Sequence, residues 1–374
     1  MIPFLYTQDY HGHGGEYRIG ALPAWIDCQI TEELNGEFAL EGTLPAGALN
    51  VDELDIDRII VANVSPERPG IIEIGEYASS YNVMQPFRIR KLTKPAENVV
   101  QVTAHHVSYQ LTENIIRPFS TAYSSVQTVF NTYLNASGTL TGYVAPSIGG
   151  FNFLSDVTSL DPIQITHDQP KSVRAFLGGE NGVQPLFGGE FDFDGWTVML
   201  REHRGTDRDV KIAYAQNLER LEYELNADGL VTGYLGWWDG TGGYKQYVAY
   251  CENYDSFAYA RVEPVDFSNE FETRPSDADL QAATEAYRDA QNRNQLPTSI
   301  TVTAVPDVLQ NVFLGDSLTV LHPEYKLQQA AKVVKTVYDP IHERYKAVTI
   351  GTIQKGITDT IAMMLRGETY ELFG

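Results

Sequence analysis

At 374 residues, 43% of them hydrophobic, the chain is long enough for roughly two to four domains and too apolar for a disordered segment. Its 27 Lys and Arg against 49 Asp and Glu give a net charge of −22, which repels phosphate and argues against stable nucleic-acid binding. Two cysteines, Cys28 and Cys251, are too few for a disulfide framework or a cysteine metal site, and no run approaches the ~18 apolar residues of a membrane span.

From residue 16 to 111 the pattern predicts strands. Tyr17–Ile19, Ile26–Thr31, Phe38–Leu44 and Arg58–Val64 are short apolar or β-branched runs. Asn35-Gly36 favours the positive φ of a tight hairpin turn. Phe87–Leu92 and Val99–Leu111 flank a hairpin loop at Lys94-Pro95-Ala96-Glu97-Asn98.

The pattern then changes. Ser124–Leu134 has helical spacing, with Ser124 or Ser125 as its cap, and Ser172–Leu177 predicts a second short helix. Residues 139–169 read as loop with short strands. Strands return at Trp196–Arg201, Val210–Ala213, Leu218–Leu225, Leu230–Trp237 and Tyr244–Tyr250, with turns at Arg204-Gly205-Thr206-Asp207 and Asp239-Gly240-Thr241-Gly242-Gly243.

Residues 276–296 give the clearest helix, capped by Ser276, ended by Pro297, and apolar along Leu280, Ala283, Ala286, Tyr287 and Ala290. Ser299–Ala304 and Asp316–Leu321 predict strands. Lys332–Tyr338 is expected to pair with Tyr345–Ile350 across Asp339-Pro340.

Several phrases in this order resemble one family: Asn35-Gly36-Glu37-Phe38-Ala39-Leu40; Phe87-Arg88-Ile89; Val102-Thr103-Ala104-His105-His106-Val107-Ser108-Tyr109; Gly188-Gly189-Glu190; Gly205-Thr206-Asp207; Leu314-Gly315-Asp316-Ser317; and Tyr338-Asp339-Pro340. The series, over roughly residues 16 to 355, is similar to the N-terminal hub region of siphophage tail-associated lysins, also called prophage tail endopeptidases.

The resemblance implies a β-rich α+β fold like that of a baseplate hub, with two small β-barrels, an inserted α+β domain and three chains in a ring. The expected division is an N-terminal β-barrel domain over 1–111, the inserted domain over 112–187, a β-rich return over 188–275, a helix plus second barrel over 276–355, and a connector tail over 356–374. The implied partners are two further copies in a homotrimer, distal tail, tape measure and tail tube proteins, and a fibre or receptor-binding protein. The implied location is the virion tail tip, assembled in the host cytoplasm; the net charge of −22 adds the expectation of an acidic lumen past which DNA slides. In that family the lytic module lies C-terminal to the hub, so the expectation here is a structural protein and not an enzyme. Peptidoglycan cleavage and host-sugar binding are the alternatives.

No catalytic, cofactor or metal site is expected, and each candidate has a plainer reading. His105-His106 on a strand point to opposite faces, one packed and one exposed. His11-Gly12-His13-Gly14-Gly15 reads as a flexible terminus or an arm contacting a partner. Asp192 and Asp194 share a strand face, where solvent or a cation relieves their repulsion; the closing Glu of a calcium loop is missing. Asp52, Glu53, Asp55 and Asp57 read as a solvated loop. Trp237-Trp238 puts one ring in a core and leaves a sugar platform as the sharper alternative.

Overall fold

The computed structural model describes residues 1–12, 14–67, 71–74, 77–80, 82–94, 98–135, 150–179, 181–213, 218–225, 230–252, 254–291, 298–304, 309, 311–322 and 327–351. The fold is β-rich α+β. It divides into two compact units, one of residues Met1–Glu222 with Thr301–Gly374 and one of Tyr223–Ile300.

The first unit is built on a large sheet. Strands Asp27–Glu33, Phe38–Pro45, Val99–His106, Met84–Thr93, Ile59–Asn63, Phe4–Tyr6 and Arg18–Ala21 follow one another in that spatial order. The Asn35-Gly36 turn forms as expected, with Asn35 at φ 57°. Strand Val99–His106 alternates buried and solvent-facing side chains, whereas Ile59–Asn63 is buried throughout.

One long strand stitches the N-terminal and C-terminal parts together. Leu327–Asp339 pairs on one edge with Ser317–His322 through its first half and with Asp27–Glu33 through its second. Its other edge carries Arg344–Gly351, so the expected Asp339-Pro340 hairpin is present. The two β regions therefore share one 13-stranded sheet, and among the described residues the pairing does not close into a barrel.

The inserted helices pack on this sheet within one core. Phe38 and Phe87 from the sheet, Phe130 and Phe176 from the helices and Phe191 from a return strand are all fully buried in one cluster. Burying each such side chain contributes about 1.5–3 kcal/mol.

Helix Val126–Tyr133 begins after Ser125, whose side chain makes no capping bond. The helix holds strand Asn152–Ser155 by side-chain amides. Gln127 Oε1 accepts from Ser155 N at 2.7 Å, and Asn135 both accepts from Phe153 N at 2.9 Å and donates to Phe153 O at 2.7 Å. Helix Val173–Gly178 is capped by Ser172 Oγ, which accepts from Ala175 N.

Three sequence expectations need correction. Strand Val99–His106 stops five residues short of Leu111, because Val107–Thr112 turns into a 3-10 helix whose start is capped by the His106 side chain. Residues 150–167 hold more strand than loop: Asn152–Ser155 runs parallel to Thr197–Arg201, and the ten-residue Thr158–His167 pairs with Phe119–Ser125. The strand expected from Leu230 starts at Gly233. The expected helix end at Pro297, the loop residues Pro95, Ala96 and Glu97, and the connector tail 356–374 lie outside the described residues.

In the second unit, Gly233–Trp238 is the central strand of three, antiparallel to Lys245–Tyr250 and parallel to Val262–Asp266. Helix Asp277–Gln291 packs on it. Ser276 Oγ accepts from Asp279 N at 3.1 Å while the Asp279 carboxylate accepts from Ser276 N at 3.2 Å, a reciprocal cap. The apolar stripe differs from expectation at two places: Thr284 is fully buried and Ala286 is exposed. Thr284 tolerates burial because its hydroxyl donates to Leu280 O at 2.7 Å.

Candidate functional site

The motifs that mark the sequence converge in the first unit on a buried clasp. Asn35 at the hairpin tip reaches across the sheet, where its Oδ1 accepts from Phe191 N at 2.7 Å and its Nδ2 donates to Gly189 O at 3.3 Å. Gly189 has φ 98° and lies so close to Arg201 O that a Cβ would sit 2.8 Å from it. Only glycine fits both demands.

The Gly205 and Gly315 loops interlock in the same way. A Cβ on Gly205 would stand 2.2 Å from the Gly315 carbonyl carbon, and both glycines have positive φ. Thr206 N donates to Asp316 Oδ1 at 2.7 Å, Phe313 N donates to Asp316 Oδ2 at 3.0 Å, and Arg208 Nε lies 3.0 Å from the same carboxylate. Asp316 is completely buried, so these donors replace its lost water.

A chain of charges runs beside the loops. Arg204 joins Glu32, at 2.7 Å, to Asp192, at 3.2 Å, and Arg201 lies 3.2 Å from the second Asp192 oxygen. Glu190 accepts from Arg204 N at 2.6 Å and pairs with Lys332. Burial disfavours the charged Arg204, but Asp192 and Glu32 more than offset it, so its pKa rises. The Asp192–Asp194 pair is thus not relieved by solvent. Asp192 is buried against two arginines, and Asp194 accepts from Gln85 Nε2 at 3.2 Å.

A small cleft opens between Glu32, Asp192, Arg204, Gln85, Asp194 and Tyr345. Its Arg204 is paired with Glu32 and Asp192, and Asp194 accepts from Gln85, an arrangement that suits a structural joint. Among the described residues no group of three His, Cys, Asp or Glu side chains is placed to hold a metal ion.

His105-His106 splits across the strand as alternation requires. His106 is wholly buried, stacked on Phe38 at 4.4 Å, and hydrogen-bonded to Ser108 Oγ at 3.0 Å and Gln85 Oε1 at 3.2 Å. His105 is half-buried against Tyr109. Burial, helped by Arg174, holds the His106 pKa well below its ordinary value, so the ring is neutral. Ser108 and His106 have the spacing of a nucleophile and base, yet both are sealed from solvent and Arg174 Nη1 also donates to Ser108 Oγ at 3.2 Å. No polymer substrate reaches that hydroxyl.

The other candidates stay apart. His11 lies against Trp196 at 5.6 Å between ring centres, and His13 is outside the described residues. Asp52, Glu53, Asp55 and Asp57 are exposed, with Glu53 paired to Arg58 at 2.8 Å. Trp238 is buried, its Nε1 donating to Phe271 O at 3.1 Å, while Trp237 is partly exposed beside Tyr244. Both cysteines are free and buried.

Residues 206–361 match the family model described as prophage endopeptidase tail. No curated protein matches the sequence. Solved structures do match nearly end to end. The prophage tail protein gp18 from Listeria monocytogenes EGD-e gives a TM-score of 0.60 at 12% identity, over 98% of this chain and 99% of that one. A tail protein from Neisseria meningitidis MC58 gives 0.58 at 10% identity, over 94% and 96%. The 43 kDa tail protein of prophage MuSo2 from Shewanella oneidensis gives 0.57 at 9% identity, over 95% and 98%. Residues 206–361 thus match the prophage endopeptidase tail family model, on a chain that shares the fold of these tail proteins.

Proposed function

We propose that the chain is a hub subunit of a phage or prophage tail tip, three copies of which close a ring beneath the tail tube. The observation that carries this reading is the fold shared nearly end to end with three tail proteins, two of them from prophages. The clasp supports it, because buried paired charges and interlocked loops make a rigid part and not a reactive one. In this reading the two β regions joined by Leu327–Asp339 act as two units per chain, so that three chains match a sixfold tube. A net charge of −22 on each copy suits a lumen past which DNA slides.

In this reading the ring meets the tube, distal tail and tape measure proteins, and the tail 356–374 holds a fibre or receptor-binding protein. Sedimentation velocity across micromolar concentrations is expected to show trimers, alone or with the tube protein added. Immunogold label on intact particles is expected at the tail tip. Label along the tube or on the capsid would refute the assignment.

Cell-wall cleavage is the competing function. Purified walls incubated with the chain are expected to release no peptides. Release of peptides by the purified chain would establish an enzyme instead.

A further inference from the structure

The three-stranded sheet of the second unit is covered on one face. Helix Asp277–Gln291 takes the side of Tyr234, whose ring meets Tyr287 at 5.3 Å, and of Gly236, which faces Thr284. Alternation sends Leu235 and Trp237 to the opposite side. The register aligns Val248 and Pro264 beside Leu235, and Tyr250 and Val262 beside Gly233. The 3-10 turn Tyr254–Ser256 touches this side through Tyr254, and helix Asp277–Gln291 lies on the other. Tyr250 is 44% exposed and Val262 41%, and the stacked partner of Tyr250, Tyr254 at 4.7 Å, is 42% exposed. A central strand with apolar side chains on both faces is the pattern of a sheet covered twice, and a contiguous exposed apolar face marks an interaction surface.

The charge around this face says what covers it. Residues 223–300 contain 13 Asp and Glu against 5 Lys and Arg. Asp266 ends the row that holds Trp237, and the exposed Glu252 and Asp255 flank the Tyr250–Tyr254 pair. Nearby cations are engaged: Lys245 pairs with Asp277 at 2.6 Å, Arg288 with Asp289 at 2.8 Å, and Arg261 lies over the Tyr259 ring at 4.2 Å. A second copy of the same face would set carboxylates against carboxylates.

We propose that this face docks a partner protein whose contact surface is apolar at its centre and rimmed with Lys or Arg. Tyrosine rings and carboxylates both favour such a rim, as Arg261 over Tyr259 illustrates within the chain.

The probe is a fluorescent strand-forming peptide of alternating Leu and Lys, titrated with the full chain and read by anisotropy. Its control replaces every Lys with Glu. The Leu–Lys peptide is expected to bind, and the Leu–Glu peptide not. Tyr250→Ser with Val262→Ser keeps every charge, and Glu252→Lys with Asp255→Lys keeps every apolar group. Each pair is expected to weaken binding by at least about tenfold. All four positions are exposed, and an unchanged near-ultraviolet dichroism spectrum verifies the fold. Equal binding by the serine variant would mean charge alone, and equal binding of the two peptides would remove the cationic rim; either overturns the proposal. Self-association lost in the serine variant would assign the face to a second copy, and displacement of the peptide by soluble glycan fragments would assign it to a sugar.

Discussion

Asp316 shows how much one side chain holds. It accepts from Thr206 N and Phe313 N and faces Arg208, with no exposure to water. Asp316→Ala deletes the acceptor that these donors share, the buried Phe313 N among them, and is expected to cost about 3 kcal/mol, read as a lower urea midpoint. Asp316→Asn keeps acceptance at one oxygen and is expected to cost less. The imidazoles set the pH response. Burial pulls the pKa of His105 and His167 down to about 4 and that of His106 well below 6.5. Above pH 6.5 these rings are neutral in both states and contribute nothing. Between pH 6.5 and about 4 the unfolded chain binds protons that the folded chain refuses, so stability falls as pH falls, by up to about 1.4 kcal/mol per pH unit for each ring. Glu37 opposes this, since burial raises its pKa and lets the folded state hold a proton. His167 is the ring to test, because it is buried with no hydrogen-bond partner on either nitrogen. His167→Phe, among Phe119 and Phe176, is expected to raise stability and flatten the slope by one proton; an unchanged slope would show that His167 titrates normally. Of these residues, Asn35 was legible from sequence because Asn-Gly has one common use. Asp316 was not, since its partners Thr206 and Arg208 lie 110 and 108 residues away. Period-two spacing placed Asp192 and Asp194 on one face but could not say that Arg201 and Arg204 wait there.

At the level of elements, legibility followed the range of the forces involved. Helix Asp277–Gln291 and the strand pair closed by Asp339-Pro340 were readable because caps, turns and alternation act over a few residues. Strand Thr158–His167 was missed because only its pairing with Phe119–Ser125 makes it a strand; its own sequence has a proline and few buried positions. The buried Thr284 was missed for a similar reason. It needs the bare backbone of Gly236 opposite, where a Cβ would stand 1.9 Å from the Thr284 hydroxyl. Gly236→Ala is therefore expected to destabilise the second unit by about 2 kcal/mol. Thr284→Ala removes the nearest obstruction but leaves the Phe267 ring 2.9 Å away, so the double variant should recover part of that loss. Additive single effects in thermal melts would mean that helix and strand do not meet at this pair.

For the whole molecule, the division into units is a statement about which contacts can be lost together. The first unit keeps its core cluster, its charge chain and both glycine clasps among residues outside 223–300. The strands that carry the chain out and back, Leu218–Leu225 and Thr298–Ala304, are hydrogen-bonded neighbours, so the gap between them is short enough for a small linker. Replacing residues 226–297 by a Gly-Ser linker is expected to leave one cooperative unfolding transition and the near-ultraviolet signature of the buried aromatics. The Leu–Lys peptide should then no longer bind, because Trp237, Tyr250 and Val262 are gone. A shortened chain that aggregates or melts without cooperativity would show that the large sheet needs the second unit to fold, and that the clasp of Asn35, Gly205, Gly315 and Asp316 is not sufficient to hold its two sequence-distant parts together.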